Sequence, residues 1–212
     1  MRNETDNPSQ IRFGAYNENL FEGKQLHWID TINDQTWQVK LAQVDYKQED
    51  ILGKPTVALM NPSFPFIAAP FEDFEKFKAI VMGLGLENNF ELKCTSLDWC
   101  YFKTKCSNVI DKLPDLTFHI GSGPQRAKFT MTADNYVFSE SNPKKKIENC
   151  HLAIIGQDFS TVNYWILGDI FNYNFYTSFN AENAPKIGLA IQVDAAVGAT
   201  ITPTPEAVSD PS

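Results

Sequence analysis

Thr56-Val-Ala-Leu-Met-Asn-Pro-Ser-Phe-Pro-Phe-Ile-Ala-Ala-Pro70 is an apolar strand that runs into a turn and emerges apolar again. The strand half is Val57-Ala-Leu-Met60. Asn61-Pro-Ser63 is a strong turn signal, because Asn tolerates unusual backbone angles while Pro62 fixes φ and carries no N–H. Far downstream stands a second block, Tyr164-Trp-Ile-Leu-Gly-Asp-Ile-Phe171, followed by Phe175-Tyr-Thr-Ser-Phe179 and Lys186-Ile-Gly-Leu-Ala190. The first stretch read together with the second decides the fold.

Composition narrows the class. The 212 residues are 43% hydrophobic with 16 Phe, 7 Tyr and 4 Trp, enough for a substantial core and rich in residues that favour strands. A net charge of −8 argues against a nucleic-acid partner, which needs clustered Lys and Arg. No window approaches the roughly 18 apolar residues of a membrane span. Met1-Arg-Asn-Glu-Thr-Asp-Asn7 is polar and does not read as a secretory leader. Neither a Gly-rich phosphate loop nor a His-x-x-x-His pair is present, so no cofactor and no metal are expected.

Strands are expected over Ile11–Tyr16, Leu26–Ile29, Trp37–Val44, Phe90–Lys93, Leu116–Ile120, Lys128–Met131 and Tyr136–Phe138. Asp45–Lys54 reads as a charged turn, and Asn142-Pro-Lys-Lys-Lys146 as a solvated hairpin tip. The one clear helix follows Pro70, which suits a first helical turn, with Glu72 and Asp73 complementing the positive end of the dipole. Phe71, Phe74, Phe77, Val81 and Leu84 form its apolar stripe, and Gly83 and Gly85 give the expected stop. His27, His119 and His151 are scattered, with no local Ser or Cys partner; His119 falls mid-strand on a face expected to be exposed.

Trp165-Ile-Leu-Gly-Asp-Ile-Phe171, the tyrosine-rich strand and Ile187-Gly-Leu-Ala190 resemble the C-terminal signature of pepsin-like aspartic proteases. Leu113-Pro-Asp-Leu-Thr-Phe118 is similar to that family's Leu-Pro-Asp-Ile-x-Phe strand entry, and Phe13-Gly-Ala to the segment that opens its second lobe. The resemblance covers roughly residues 11–192. It implies a mostly β fold, a single lobe of orthogonally packed antiparallel sheets with one or two short helices. On composition, residues 1–10 read as a flexible N-terminus and 193–212 as a disordered Pro-containing tail, with Pro203, Pro205 and Pro211 in Thr200–Ser212. The chain would then begin mid-family, from a precursor that has lost its front or a gene that keeps only the back half.

In the family a strand of the form hydrophobic-hydrophobic-Asp-Thr/Ser-Gly-Thr/Ser carries the second catalytic aspartate, and the Ile166-Leu167-Gly168 segment is its threading partner in the psi-shaped loop. Ala58-Leu-Met-Asn-Pro-Ser-Phe-Pro65 stands in that place, which puts Asn61 on the aspartate and Pro62-Ser63 on the Thr-Gly pair. Aspartic proteolysis needs two carboxylates sharing a proton. An amide has neither a proton to give nor a charge to activate water. The resemblance with this departure implies no catalysis at Asn61. A homodimer would present two asparagines, and even an intact partner lobe would supply one carboxylate where two are required. Asp169 has a structural role in the family.

Four cysteines allow three pairings, or four reduced thiols in a cytosolic fold. The family's bridged positions favour Cys106–Cys150, with Cys94–Cys100 as a small local loop, and hence an oxidising compartment. The family is mostly secretory or lysosomal; Asn3-Glu-Thr5 is a glycosylation sequon only on that route. A lone lobe would expose its apolar lobe-facing surface, so the expected partner is another chain or the family's N-terminal lobe, with a bound peptide as a further option. The enzyme alternative is a pepsin-like endopeptidase whose other lobe lies on another segment or chain.

Overall fold

The computed structural model describes residues 10–95, 99–142, 147–157, 163–193 and 198–204. Asn3, the lysines of the expected hairpin tip and residues 205–212 lie outside them. Among the described residues the fold is mostly β, with strands gathered in three sheets around one core. From the amino-terminal side come β1 (His27–Asp30), β2 (Gln38–Tyr46), β3 (Glu49–Asp50), β4 (Thr56–Met60) and β5 (Ile67–Pro70). After the helix α1 (Phe71–Asn88) follow β6 (Leu92–Cys94), β7 (Cys100–Phe102), β8 (Leu116–Ile120) and β9 (Ala127–Met131). A short helix α2 (Ala133–Tyr136) leads into β10 (Val137–Asn142), β11 (Ile147–Leu152) and β12 (Ile154–Gln157). The last elements are β13 (Tyr164–Leu167), α3 (Asp169–Asn172), β14 (Phe175–Asn180), β15 (Lys186–Ile191) and β16 (Thr200–Pro203).

The largest sheet runs β12-β5-β13-β4-β2-β8-β9-β16, with β3 folded back onto β2. A second sheet is ordered β10-β11-β7-β6, and a third β1-β15-β14. Alternation explains the central strands. Leu116, Phe118 and Ile120 of β8 and Ala127, Phe129 and Met131 of β9 point inward and are fully buried, whereas Thr117 and Thr130 meet on the other face at 2.9 Å. Phe118, Phe129, Phe171, Phe175 and Trp165 pack ring against ring in the middle of this core, in edge-to-face and tilted pairs.

Helix α1 lies against β5, β12 and β6. Phe74, Phe77, Val81 and Leu84 are buried as their spacing requires, each contributing about 1.5–3 kcal/mol. Phe71 is 48% exposed and leaves the stripe. Pro70 closes β5 and stands just before the first helical residue. The helix also runs through both glycines expected to stop it and ends at Asn89, whose left-handed φ of 59° caps it. Gly85 has another reason to be small: a Cβ there would lie 2.4 Å from the carbonyl oxygen of Phe90.

Four other expectations change. Residues 11–16 form no strand, because no neighbouring strand pairs with them among the described residues. Asp45 and Tyr46 continue β2 instead of opening the charged turn, since β8 pairs with them to its end. His119 is 4% exposed, covered through its bond to Asp45. Thr200–Pro203, expected in a disordered tail, adds β16 to the open edge of β9, where Ile201 packs on the core. The cysteines close two bridges, Cys94–Cys100 across the β6–β7 pair and Cys106–Cys150 onto β11. Among the described residues no helix is long and apolar enough to cross a membrane.

Candidate functional site

The first stretch folds as β4, a six-residue connection and β5, and the second threads through it. Strand β13 lies between them, parallel to β4 (Ile166 opposite Leu59) and antiparallel to β5 (Leu167 opposite Ile67). A continuous apolar strand is needed here, because both flanks of β13 are hydrogen-bonded and both faces covered; Trp165 and Leu167 are fully buried and Ile166 nearly so.

The connection is anchored from both sides. The Asn61 N–H donates to Leu167 O at 3.0 Å, and the Asp169 N–H donates to Phe64 O at 2.6 Å. Gly168 sits where these meet, and a Cβ there would lie 2.2 Å from both Phe64 O and Phe66 O. Only glycine allows that approach. Below the loop Asp73 is buried and accepts from the Trp165 indole N–H at 3.0 Å and the Gly53 N–H at 3.0 Å, tying α1 to β13 and to the chain before β4.

Asn61 stands at the end of β4, partly exposed, in a small turn of its own. Its Oδ1 accepts from the Ser63 hydroxyl at 2.7 Å and the Ser63 N–H at 3.2 Å, and Phe64 N–H closes on Asn61 O at 3.0 Å. Two donors aimed at Oδ1 assign that end of the amide as the oxygen. The end left for chemistry is an NH2 group, a hydrogen-bond donor with no base character at any ordinary pH. Pro62 lacks the N–H that another residue would offer beside it. The Asp169 carboxyl, whose main chain is tied to Phe64, is held above the usual carboxylate range by burial.

The histidines do not converge. His27 Nε2 lies 2.6 Å from Gln125 O, and His119 Nε2 lies 2.7 Å from Asp45 Oδ2. His151 Nδ1 accepts from the Trp99 indole N–H at 2.8 Å. Each is thus held by its own structural partner, and no Ser, Thr or Cys is hydrogen-bonded to any of them among the described residues. Nor do three or more His, Cys, Asp or Glu side chains gather as a metal set there.

What the sequence reading missed is the aromatic layer beside the loop. Phe66 packs on Trp99 with centroids 4.7 Å apart and stacks on Phe138 at 5.9 Å. No spacing in the chain signals this, because the three rings come from three separate elements.

Known proteins align with this chain along most of its length. The family model for eukaryotic aspartyl protease matches residues 1–192. Cathepsin E-B of Xenopus laevis is 26% identical over 185 residues, covering 85% of this chain and 40% of that protein. Pepsin A of Gallus gallus is 25% identical, covering 86% and 43%. Renin of Rattus norvegicus is 23% identical, covering 86% and 41%. The chain therefore spans about two-fifths of the length of these curated relatives.

Proposed function

Because this chain belongs to the eukaryotic aspartyl protease family, and carries Asn61 at the turn between β4 and β5, we propose that it is a catalytically inactive lobe that works by binding another protein. The observation that carries the reading is the environment of Asn61. The family's chemistry needs a carboxylate that can both lose and regain a proton. Here the group in that place is an amide whose oxygen is already bonded twice to Ser63.

The binding half of the proposal rests on exposed apolar side chains. Ile11 is 87% and Phe13 95% exposed, on a segment that reads as a strand yet pairs with none among the described residues. Such a segment is suited to adding itself to the edge of another sheet, with the apolar side chains covered in the process. The expected partner is a second protein lobe, on the same precursor or on another chain.

A second reading is favoured by the intact threading of β13 between β4 and β5 and by the likeness to cathepsin E-B and pepsin A. On that reading this lobe is part of an endopeptidase. It requires a second carboxylate that Asn61 does not provide.

The deciding experiment adds a pepstatin-type inhibitor to the native protein and follows binding by calorimetry and peptide hydrolysis across the acid range. The proposal expects neither binding nor inhibitor-sensitive cleavage, and expects Asn61→Asp to restore neither, because Pro62 and Ser63 still shape the turn. Inhibitor-sensitive cleavage by the wild-type protein would overturn it. Size exclusion with mass spectrometry on protein from its natural source tests the other half: a monomer there would remove the claim that this lobe is covered by a partner.

A further inference from the structure

The outer face of the β10-β11-β7-β6 sheet carries one row of aromatic side chains in strict register. Phe138 pairs with His151, His151 with Tyr101, and Tyr101 with Lys93. The imidazole is 5% exposed, stacked on Phe138 with centroids 5.4 Å apart and flanked by Tyr101 at 5.6 Å. Trp99 closes the remaining side, and Phe66 of the Asn61 loop rests on Trp99 and Phe138.

The hydrogen bond at the centre has only one polarity. An indole N–H can donate and cannot accept, so His151 Nδ1, 2.8 Å away, must present its lone pair. The neutral ring then carries its proton on Nε2, where Glu140 Oε2 lies 2.9 Å away, off the N–H direction. A proton added to Nδ1 would set two donors against each other at the centre of the cluster.

We propose that Trp99 and His151 form an acid-sensitive latch on the loop that carries Asn61: neutral His151 holds Trp99, Trp99 holds Phe66, and protonation of His151 releases both. The backbone supplies a second link. Two residues past His151, the Ala153 carbonyl accepts from the Ile67 N–H at 2.9 Å, immediately after Phe66. The inference does not depend on the docking role proposed above.

Charged and titratable groups around the ring, among the described residues, are few. Glu140 on β10 is the only one in direct reach, and its side chain is 68% exposed. Tyr101 lies on β7, with Lys103 just beyond its end; Lys93 on β6 is held by Glu91 at 3.2 Å. The loop side contributes Phe64 and Phe66 and no charge. Burial pushes the imidazole below its ordinary value of 6.5, and Glu140 opposes that shift. A group depressed in the folded state binds its proton more readily when unfolded. Its stabilising contribution is therefore complete above about pH 6.5 and declines as the solution is acidified from there.

The test is a pH titration of the intact chain by NMR, with the four tryptophan indoles labelled with nitrogen-15 and Trp99→Phe used to assign the Trp99 signal. The latch expects the Trp99 indole signal to move in one transition below pH 6.5, with the amides of Phe64 and Phe66 moving at the same midpoint. Glu140→Gln, at an exposed side chain, should shift that midpoint to lower pH. His151→Asn, which keeps an acceptor that does not titrate, should abolish the transition. A flat Trp99 signal, a midpoint unmoved by Glu140→Gln, or a Trp99 transition that the Phe64 and Phe66 amides do not follow would each overturn the proposal. So would the simultaneous loss of all four indole signals, which reports global unfolding.

Discussion

Replacing Gly168 with alanine tests the geometry that the candidate site depends on. The backbone there is extended, at φ −93° and ψ −154°, so the new residue brings no strain of its own. The whole cost is steric. The added Cβ would lie 2.2 Å from Phe64 O and from Phe66 O, far inside an ordinary contact of about 3.5 Å. Both carbonyls belong to main chain on a loop anchored at each end, so relief means opening the loop. Overpacking of this kind costs about 1–3 kcal/mol. Loss of the bonds from Asp169 N–H to Phe64 O and from Ile170 N–H to Pro65 O adds about 1 kcal/mol each. The expected loss is about 3–5 kcal/mol, or about 6–20 °C in Tm for a domain of this size. Urea unfolding followed by circular dichroism reads it directly. Gly83→Ala is the matched control: nothing lies within 4 Å of its Cβ, and it sits in the interior of α1. That variant should gain about 0.5–1 kcal/mol. A Gly168→Ala protein within about 0.5 kcal/mol of wild type, at unchanged slope, would refute the close approach of β13 to the Asn61 loop.

Three further outcomes follow from the packing. Trp165→Phe removes the indole donor from Oδ2 of buried Asp73 and leaves the carboxylate the Gly53 N–H and Lys76 on Oδ1; chemical denaturation should show a loss of about 2–3 kcal/mol, and a loss below about 0.5 kcal/mol would contradict the bond. The Cys106–Cys150 bridge spans 44 residues and Cys94–Cys100 spans 6, so removing the first by paired Cys→Ser substitution should cost about 4 kcal/mol and the second about 2 kcal/mol; equal or reversed losses in parallel melts would contradict the chain-entropy account. The Tyr46 and Tyr136 hydroxyls meet at 3.2 Å in the core, and burial holds both above the ordinary phenol value of 10.0. Groups raised on folding stabilise fully below the unfolded value and lose that contribution as pH climbs through the folded one, so stability should fall above about pH 10. Absorbance at about 295 nm should keep both phenols silent until the chain unfolds, and early ionisation of either, identified with Tyr46→Phe, would contradict their burial.

Much of the architecture was legible because it follows local rules. The apolar periods of β2, β8 and β9, the stripe of Phe74, Phe77, Val81 and Leu84, and the turn at Asn61-Pro62-Ser63 are all encoded within a few neighbouring residues. The misreadings share one cause, which is that the deciding contact lay elsewhere in the chain. Gly83 and Gly85 look like a helix stop, yet the packing of α1 on β5 and β12 carries the helix through them to Asn89. Residues 11–16 alternate like a strand but pair with no strand among the described residues, while Thr200–Pro203 looks like tail and finds the edge of β9. Strand identity depends on a partner, and a partner is not written in the strand.

The sequence by itself determined the chemistry at Asn61, because the absence of a carboxylate is a property of the residue and survives any fold. It also determined the family likeness and the even set of cysteines. Only the tertiary structure decided what surrounds that position: Ser63 bonded to Asn61 Oδ1, Gly168 pressed against Phe64 O, and Trp99 bridging Phe66 to His151. Those contacts join the connection between β4 and β5 to the residue before β7, to β11 and to the residue after β13. Side-chain identity fixes what a group can do, and long-range packing fixes which groups meet.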